Sequence, residues 1–340
     1  MNRVSRKAPW KYGSSHGLLV ALMWVAASAS AQTCHSAADM EPQVRTALET
    51  TAKRYFDMAS RGDSAGLRQN AVPSLAGNFS GIEAAVKENQ PAFAGGQANV
   101  RPPFLLTADG NQALARAEFL CGVFGSNGQT KDSAVFVFNG LPPGKYGVAI
   151  VDAKGAQDTR ALTMILQQVG ADWKLAGFYA RSSQVNGHDA AWFTQRAREF
   201  KTKGQNRNAW LYFREAIMLT SPADFMSTLA TDKLYDEAQS VQPADLPLDG
   251  KTVDLNAGGA THKLIAIFPL SVGGDLDLLV RYQAADISNT VQTFQTNIAL
   301  IKALVAKYPE FRDAFAGVVA RAVDPSGQDY GSMLPMKDIK

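Results

Sequence analysis

Hydrophobic residues recur with two different periods along this 340-residue chain. Over residues 41–61, Val44, Leu48 and Phe56 fall on one helical face, because residues three and four positions apart are neighbours on a helix. The pattern predicts a second, shorter helix over 81–89. A domain that opens with helices is therefore expected.

The period then changes to that of strands. Six runs rich in Val, Ile, Phe and Leu follow Pro102-Pro103 and are separated by Gly, Asp and Asn turns, which is typical of antiparallel strands. These runs are Phe104–Thr107, Ala113–Cys121, Ala134–Asn139, Tyr146–Asp152, Leu162–Gln168 and Trp173–Ala180. Helices followed by an antiparallel sheet predict an α+β fold.

Three pieces of this region resemble the NTF2-like (cystatin-like, α+β cone) superfamily. They are Tyr55-Phe56 on the long helix, Arg61-Gly62-Asp63 at its end, and the hairpin of Met164-Ile165-Leu166 with Gly170-Ala171-Asp172-Trp173-Lys174-Leu175. The resemblance implies one α+β domain over 32–184, a helix on a curved antiparallel sheet. The resemblance does not imply a particular activity, because this superfamily includes both enzymes and binding modules. The run Leu141–Tyr146 departs from the pattern and is similar to the start of a β-sandwich strand.

Helical periodicity returns between His188 and Pro222. The spacing of its small and aromatic residues resembles a single tetratricopeptide repeat, and we assign 185–241 to this helical hairpin and a linker helix. One repeat is too few for a solenoid, so packing on a neighbouring domain is expected, with a peptide-binding array as the alternative. Its dense aromatic residues then predict an inter-domain core, or else a partner groove: Trp192, Phe193, Trp210, Tyr212 and Phe213.

The remaining residues, 242–340, predict a second small α+β domain. A proline-containing linker over 242–249 precedes three strand-like runs, an amphipathic helix over 288–307 and a turn at Asp324-Pro325-Ser326-Gly327. As a whole, the domain order looks like an uncharacterised family of exported bacterial proteins, a resemblance without an assigned activity.

The N-terminus has the three parts of a secretory signal peptide over 1–31. A basic start precedes an apolar run of about 13 residues, against about 20 needed to cross a bilayer, and Ala29-Ser30-Ala31 forms a cleavage site. Cleavage after Ala31 predicts a periplasmic or secreted protein. Two alternatives are an uncleaved anchor helix and a lipid on Cys34.

The charge balance depends on this leader. The net charge is +3, but Arg3, Arg6, Lys7 and Lys11 belong to the leader, and without them 30 basic residues face 31 acidic ones. The body therefore offers no electrostatic basis for nucleic-acid binding. Hydrophobic residues make up 46% of the chain and charged residues 19%, which excludes wholesale disorder, collagen and coiled coil.

The chain has two cysteines, Cys34 and Cys121. Export would place both in an oxidising compartment, where a pair is more often bonded than free, so we predict a disulfide between them. Two unrelated buried thiols are the alternative. Neither cysteine has zinc-site or Cys-x-x-Cys spacing, and we predict no metal and no cofactor.

Catalytic signatures of common hydrolases, NTPases and dinucleotide-binding enzymes are missing from the sequence. Asp189, beside His188, is interpreted as a helix cap. Tyr55, Arg116, Glu118 and Tyr179 are weak candidates for a pocket in the first domain. Arg116 and Glu118 lie two apart, so they share one strand face, where a solvent-exposed ion pair is the simpler interpretation.

No catalytic residue can be named from these features. They favour an exported, non-enzymatic binding or assembly module, with a protein partner or a small hydrophobic ligand. The alternative is a small-molecule enzyme of the isomerase or dehydratase type that uses the cone pocket, and a further one is a purely structural protein.

Overall fold

The computed structural model describes residues 32–155, 159–248 and 250–340, and the predicted leader lies outside these residues. Helices and largely antiparallel sheets confirm the α+β class. Among the described helices, none is both long and apolar enough to cross a membrane.

The first half of the chain contains the predicted helices and strands together with shorter elements that the hydrophobic periodicity does not predict. Its helices are α1 (Pro42–Ser60), α2 (Ser64–Gln69), α3 (Pro73–Ala76) and α4 (Ser80–Phe93). Its strands are β1 (Gln32–His35), β2 (Gln97–Val100), β3 (Phe104–Ala108), β4 (Leu114–Gly125), β5 (Gly128–Leu141), β6 (Gly144–Lys154), β7 (Thr159–Val169) and β8 (Asp172–Ser182). Pro42 starts α1, and Gly62, with φ of 72°, allows the chain to leave it.

These elements form three layers. Strands β1, β3, β6, β7 and β8 make the first sheet in that order, and β2 also pairs with β6. Helices α1 and α4 cover one face of this sheet around a core that includes Leu48, Tyr55, Phe56 and Leu162. The long β4–β5 hairpin forms a second sheet, and a separate core fills the space between the two sheets.

A disulfide joins Cys34 on β1 to Cys121 on β4, which confirms the predicted pair. β1 belongs to the first sheet and β4 to the second, so the bond ties the two sheets together. The side chain of Gln32 on β1 accepts a hydrogen bond from the backbone N–H of Glu118 on β4 at 2.5 Å. The first described strand is therefore fixed to both sheets.

The second half begins with a short hairpin and three helices. They are β9 (Gln184–Val185), β10 (His188–Asp189), α5 (Ala190–Thr202), α6 (Asn206–Thr220), the strand β11 (Met226–Thr228) and α7 (Leu229–Gln239). The Asp189 carboxylate accepts a hydrogen bond from the backbone N–H of Trp192 at 2.9 Å, which confirms the predicted cap. The stacked rings of His188 and Trp192 lie 3.7 Å apart.

The C-terminal sheet has the order β12 (Val253–Ala257), β13 (Ala260–Val272), β14 (Asp275–Gln283), β15 (Gly317–Val323) and β16 (Asp329–Pro335). The helix α8 (Thr290–Lys307) connects β14 to β15, which is why this pair alone among the described pairings of the sheet is parallel. α8 packs on the inner face of the sheet through Leu300, Ile301 and Leu304.

The helices α5–α7 and the C-terminal sheet share one hydrophobic core. Phe193, Tyr212 and Phe213 pack with residues of the sheet and α8, and the Tyr212 hydroxyl donates a hydrogen bond to the backbone oxygen of Ala314 at 2.6 Å. The aromatic residues of α5 and α6 therefore lie in or against a core that these helices share with the C-terminal sheet. The segment expected to be a linker also contributes to this core, through the buried side chain of Leu246.

Candidate functional site

Tyr55, the first of the predicted pocket residues, is fully buried under the helices. Its hydroxyl donates a hydrogen bond to the backbone oxygen of Trp173 at 2.8 Å, and Arg54 donates one to the hydroxyl at 3.3 Å. Burial raises the pKa of Tyr55, although the neighbouring Arg54 cation lowers it. Tyr55 thus serves as a link between α1 and β8.

Arg116 and Glu118 share one face of β4, as their spacing predicts. Their side chains are 3.4 Å apart and both are at least half exposed. An ion pair in such a position contributes little to stability. The geometry matches the simpler interpretation, a surface pair.

Tyr179 lies on the other side of the first sheet from Tyr55. Its ring contacts Phe225 edge to face, with centroids 5.1 Å apart. The structure therefore distributes Tyr55, Tyr179 and the Arg116–Glu118 pair among three environments and does not gather them in one pocket.

Large side chains occupy the space between the helices and the first sheet. Phe56 and Phe93 meet edge to face there, with centroids 5.3 Å apart, and Trp173 and Phe178 fill the same core. A cleft of about 630 Å³ lies outside this core, between α1 and the β7–β8 turn, where Arg54 and residues of both elements line it.

The two halves of the chain are joined by the segment 222–228, which follows α6. The backbone oxygen of Pro222 accepts a hydrogen bond from Thr163 at 3.0 Å, and the Phe225 ring lies between the rings of Phe138 and Tyr179. Strand β11 then pairs with β5 and extends the second sheet. The junction is therefore held by the backbone hydrogen bonds between β11 and β5 as well as by side-chain contacts.

A groove of about 220 Å³ opens beside this segment, and we call it the junction groove. Strand β8, α6, the segment 222–228 and α7 contribute side chains to its lining, among them Arg181, Met218, Asp224, Met226, Asp232 and Tyr235. Met218 and Tyr235 each expose 56% of their surface, although both are large and apolar. Exposed apolar side chains that line one concave site are typical of a contact surface.

The rim of the junction groove is acidic. Among the described residues lining it, Arg181 is the cation, and Asp224 binds it at 2.5 Å. The Asp232 carboxylate accepts a hydrogen bond from Gln129, and burial raises the pKa of Asp232, with a smaller contribution from the Asp236 charge. A segment that binds here meets apolar side chains beside Asp232, whose charge no lining cation pairs among the described residues, and beside the Asp224–Arg181 ion pair.

Sequence reasoning missed the junction groove, although one signal was present. Met218 interrupts the polar face of α6 one turn after Arg214, and Tyr235 lies between Asp232 and Asp236 on α7. An apolar residue on an otherwise polar helix face can mark a contact surface, but it can also occur by chance. Only the fold brings these two residues to one groove.

The described residues include no cluster of three or more His, Cys, Asp and Glu side chains placed to hold a metal ion. Comparison of the whole chain with protein-family models, curated proteins and solved structures finds no match.

Proposed function

We propose that this chain is an exported, non-enzymatic binding module that receives a segment of a partner protein in the junction groove. In this proposal the leader is cleaved after Ala31 and the protein acts in the periplasm or outside the cell, where the Cys34–Cys121 disulfide is stable. An NTF2-like domain forms its first half, a tetratricopeptide-like hairpin and a small C-terminal α+β domain form its second half, and the junction of the halves presents the binding surface.

The exposure of Met218 and Tyr235 in the junction groove is the observation that carries the proposal. The segment 222–228 fixes the groove between the two halves through hydrogen bonds and the Phe225 ring. A preformed apolar groove loses little conformational entropy when it binds. The groove volume of about 220 Å³ accommodates one or two side chains, so a short peptide segment fits it better than a large ligand.

The acidic rim specifies the partner further. Asp232 lines the groove with Asp236 one helical turn further along α7, and the exposed Asp224 also lines it while it binds Arg181. A lysine or arginine beside the apolar side chain of the partner would therefore gain favourable electrostatic interactions. The expected ligand is a segment with an aromatic or aliphatic residue next to a basic one.

Selection from a random phage-displayed peptide library tests this proposal. Immobilised mature protein should enrich peptides that combine an apolar residue with Lys or Arg, and these peptides should lose binding to the Met218→Asp and Tyr235→Asp variants. Val291→Asp is the matched control, because Val291 is also an exposed apolar residue but lies on α8, outside the junction groove. Enrichment of acidic peptides, or equal binding to all variants, would overturn the proposal.

The alternative, an acid–base enzyme that uses the interior of the first domain, receives less support. Tyr55, Phe56, Phe93 and Trp173 occupy that interior, so a substrate would have to displace large buried side chains.

A further inference from the structure

A second cavity, of about 410 Å³, lies in the C-terminal domain beside the start of α8, and we call it the polar pocket. Six neutral hydrogen-bonding side chains line it: Thr261, Gln283, Asn289, Gln292, Thr293 and Thr296. The rings of Tyr282 and His262 complete the wall. Its volume falls in the range of small-molecule sites, and its lining differs from the apolar lining of the junction groove.

We propose that the polar pocket binds a neutral, polyhydroxylated ligand, an oligosaccharide segment. Sugar hydroxyls both donate and accept hydrogen bonds, and threonine hydroxyls and glutamine or asparagine amides do the same. Sugar rings also present apolar C–H faces, which the partly exposed ring of His262 can cover, whereas Tyr282 is buried.

The charges around the polar pocket argue against an ionic ligand. Among the described residues lining it, none is Lys or Arg, so an anion would find no permanent positive charge. The one carboxylate, Asp286, accepts hydrogen bonds from the backbone N–H of Ser288 at 2.9 Å and from its hydroxyl at 2.6 Å. A single exposed carboxylate offers a cation only a weak site, because solvent screens its charge.

A buried hydrogen-bond network fixes the aromatic wall of the pocket. The Tyr282 hydroxyl donates to Asn297 Oδ1 at 2.8 Å, and Asn297 Nδ2 donates to Ser332 Oγ at 2.9 Å and to the backbone oxygen of Tyr330 at 3.2 Å. Asn297 is fully buried, and such a network is costly unless its members are bonded, as they are here. Tyr282 is thereby held in one orientation, and His262 contacts its ring edge to face.

The two threonines of α8 that line the pocket keep acceptor capacity for a ligand. The Thr293 hydroxyl donates to the backbone oxygen of Asn289 at 2.9 Å, and the Thr296 hydroxyl donates to that of Gln292 at 3.1 Å. Each hydroxyl uses its proton on the helix and retains lone pairs. A sugar hydroxyl can therefore donate to these threonines and accept from the amide groups of Gln283 and Gln292.

Titration with neutral trisaccharides tests this site independently of the junction groove. We would add maltotriose, cellotriose and triacetylchitotriose, each to about 10 mM, to isotope-labelled mature protein and follow backbone amide and His262 ring resonances by NMR. At least one trisaccharide should cause saturable shifts around 283–297. Gln292→Ala should weaken its binding by about fivefold, the value of one hydrogen bond.

Gln295→Ala is the matched control, because Gln295 lies on the same helix, is exposed and does not line the pocket. It should leave the affinity unchanged. The absence of saturable shifts for all three trisaccharides, or equal affinity of the Gln292→Ala variant and the wild-type protein, would overturn the inference. Neither result would bear on peptide binding at the junction groove.

Discussion

Replacing Glu215 with glutamine should make the protein more stable above neutral pH. Glu215 lies on α6 one turn from the buried residue Leu211 and one turn from Leu219, which packs on the shared core. Burial raises the pKa of this carboxyl from 4.5 to about 7, with no charged neighbour contributing. The folded protein therefore binds a proton at Glu215 more tightly than the unfolded chain does.

The sign and size of the effect follow from this difference. A raised folded-state pKa gives a stability contribution that is complete below the unfolded value of 4.5 and is lost as the pH rises through about 7. Each pKa unit corresponds to about 1.4 kcal/mol, so the loss between about pH 5 and pH 8.5 is about 2 to 3 kcal/mol. Glutamine does not ionise, so the variant does not lose this free energy of unfolding as the pH rises.

Urea unfolding followed by tryptophan fluorescence measures the effect, because Trp192 and Trp210 lie in or against the shared core. The free energy of unfolding of Glu215→Gln minus that of the wild-type protein should rise by about 2 kcal/mol from about pH 5 to pH 8.5. Glu88→Gln, at an exposed position of α4, should show no such rise. An equal pH dependence of wild type and Glu215→Gln would refute the reasoning that burial perturbs this carboxyl.

Three further predictions concern the contacts that hold the layers together. Replacing Cys34 and Cys121 with serine opens a loop of 87 residues and should lower the free energy of unfolding by about 4 kcal/mol, measured by urea titration; a loss below about 1 kcal/mol would contradict this expectation. Phe225→Ala removes the ring between the two halves, so it should cost about 2 kcal/mol and separate a single calorimetric transition into two. Asn297→Ala leaves the buried hydroxyl of Tyr282 unpaired and should cost about 2 kcal/mol in thermal unfolding, whereas an unchanged melting temperature would show that the network is dispensable.

Local sequence signals predicted the elements whose physical cause is local. The amphipathic period placed α1 and α8, Gly and Asp turns separated the strands, and Asp189 marked the start of α5 because a carboxylate there satisfies free N–H groups. The disulfide was predictable for a different reason, since two cysteines allow only one pairing. The NTF2-like and tetratricopeptide-like identities stay predictions.

Only the tertiary structure decided which surfaces meet. The three-residue strand β11 has no period of its own and exists because it pairs with β5, about ninety residues earlier in the chain. Strand spacing placed Arg116 and Glu118 on one face and favoured a solvent-exposed pair over a pocket, and the packing of the two sheets decided that this face is exposed. Met218 and Tyr235 likewise meet only in the folded chain. Periodicity shows which side of a helix or strand is apolar, but whether that side is buried depends on which distant residues pack against it.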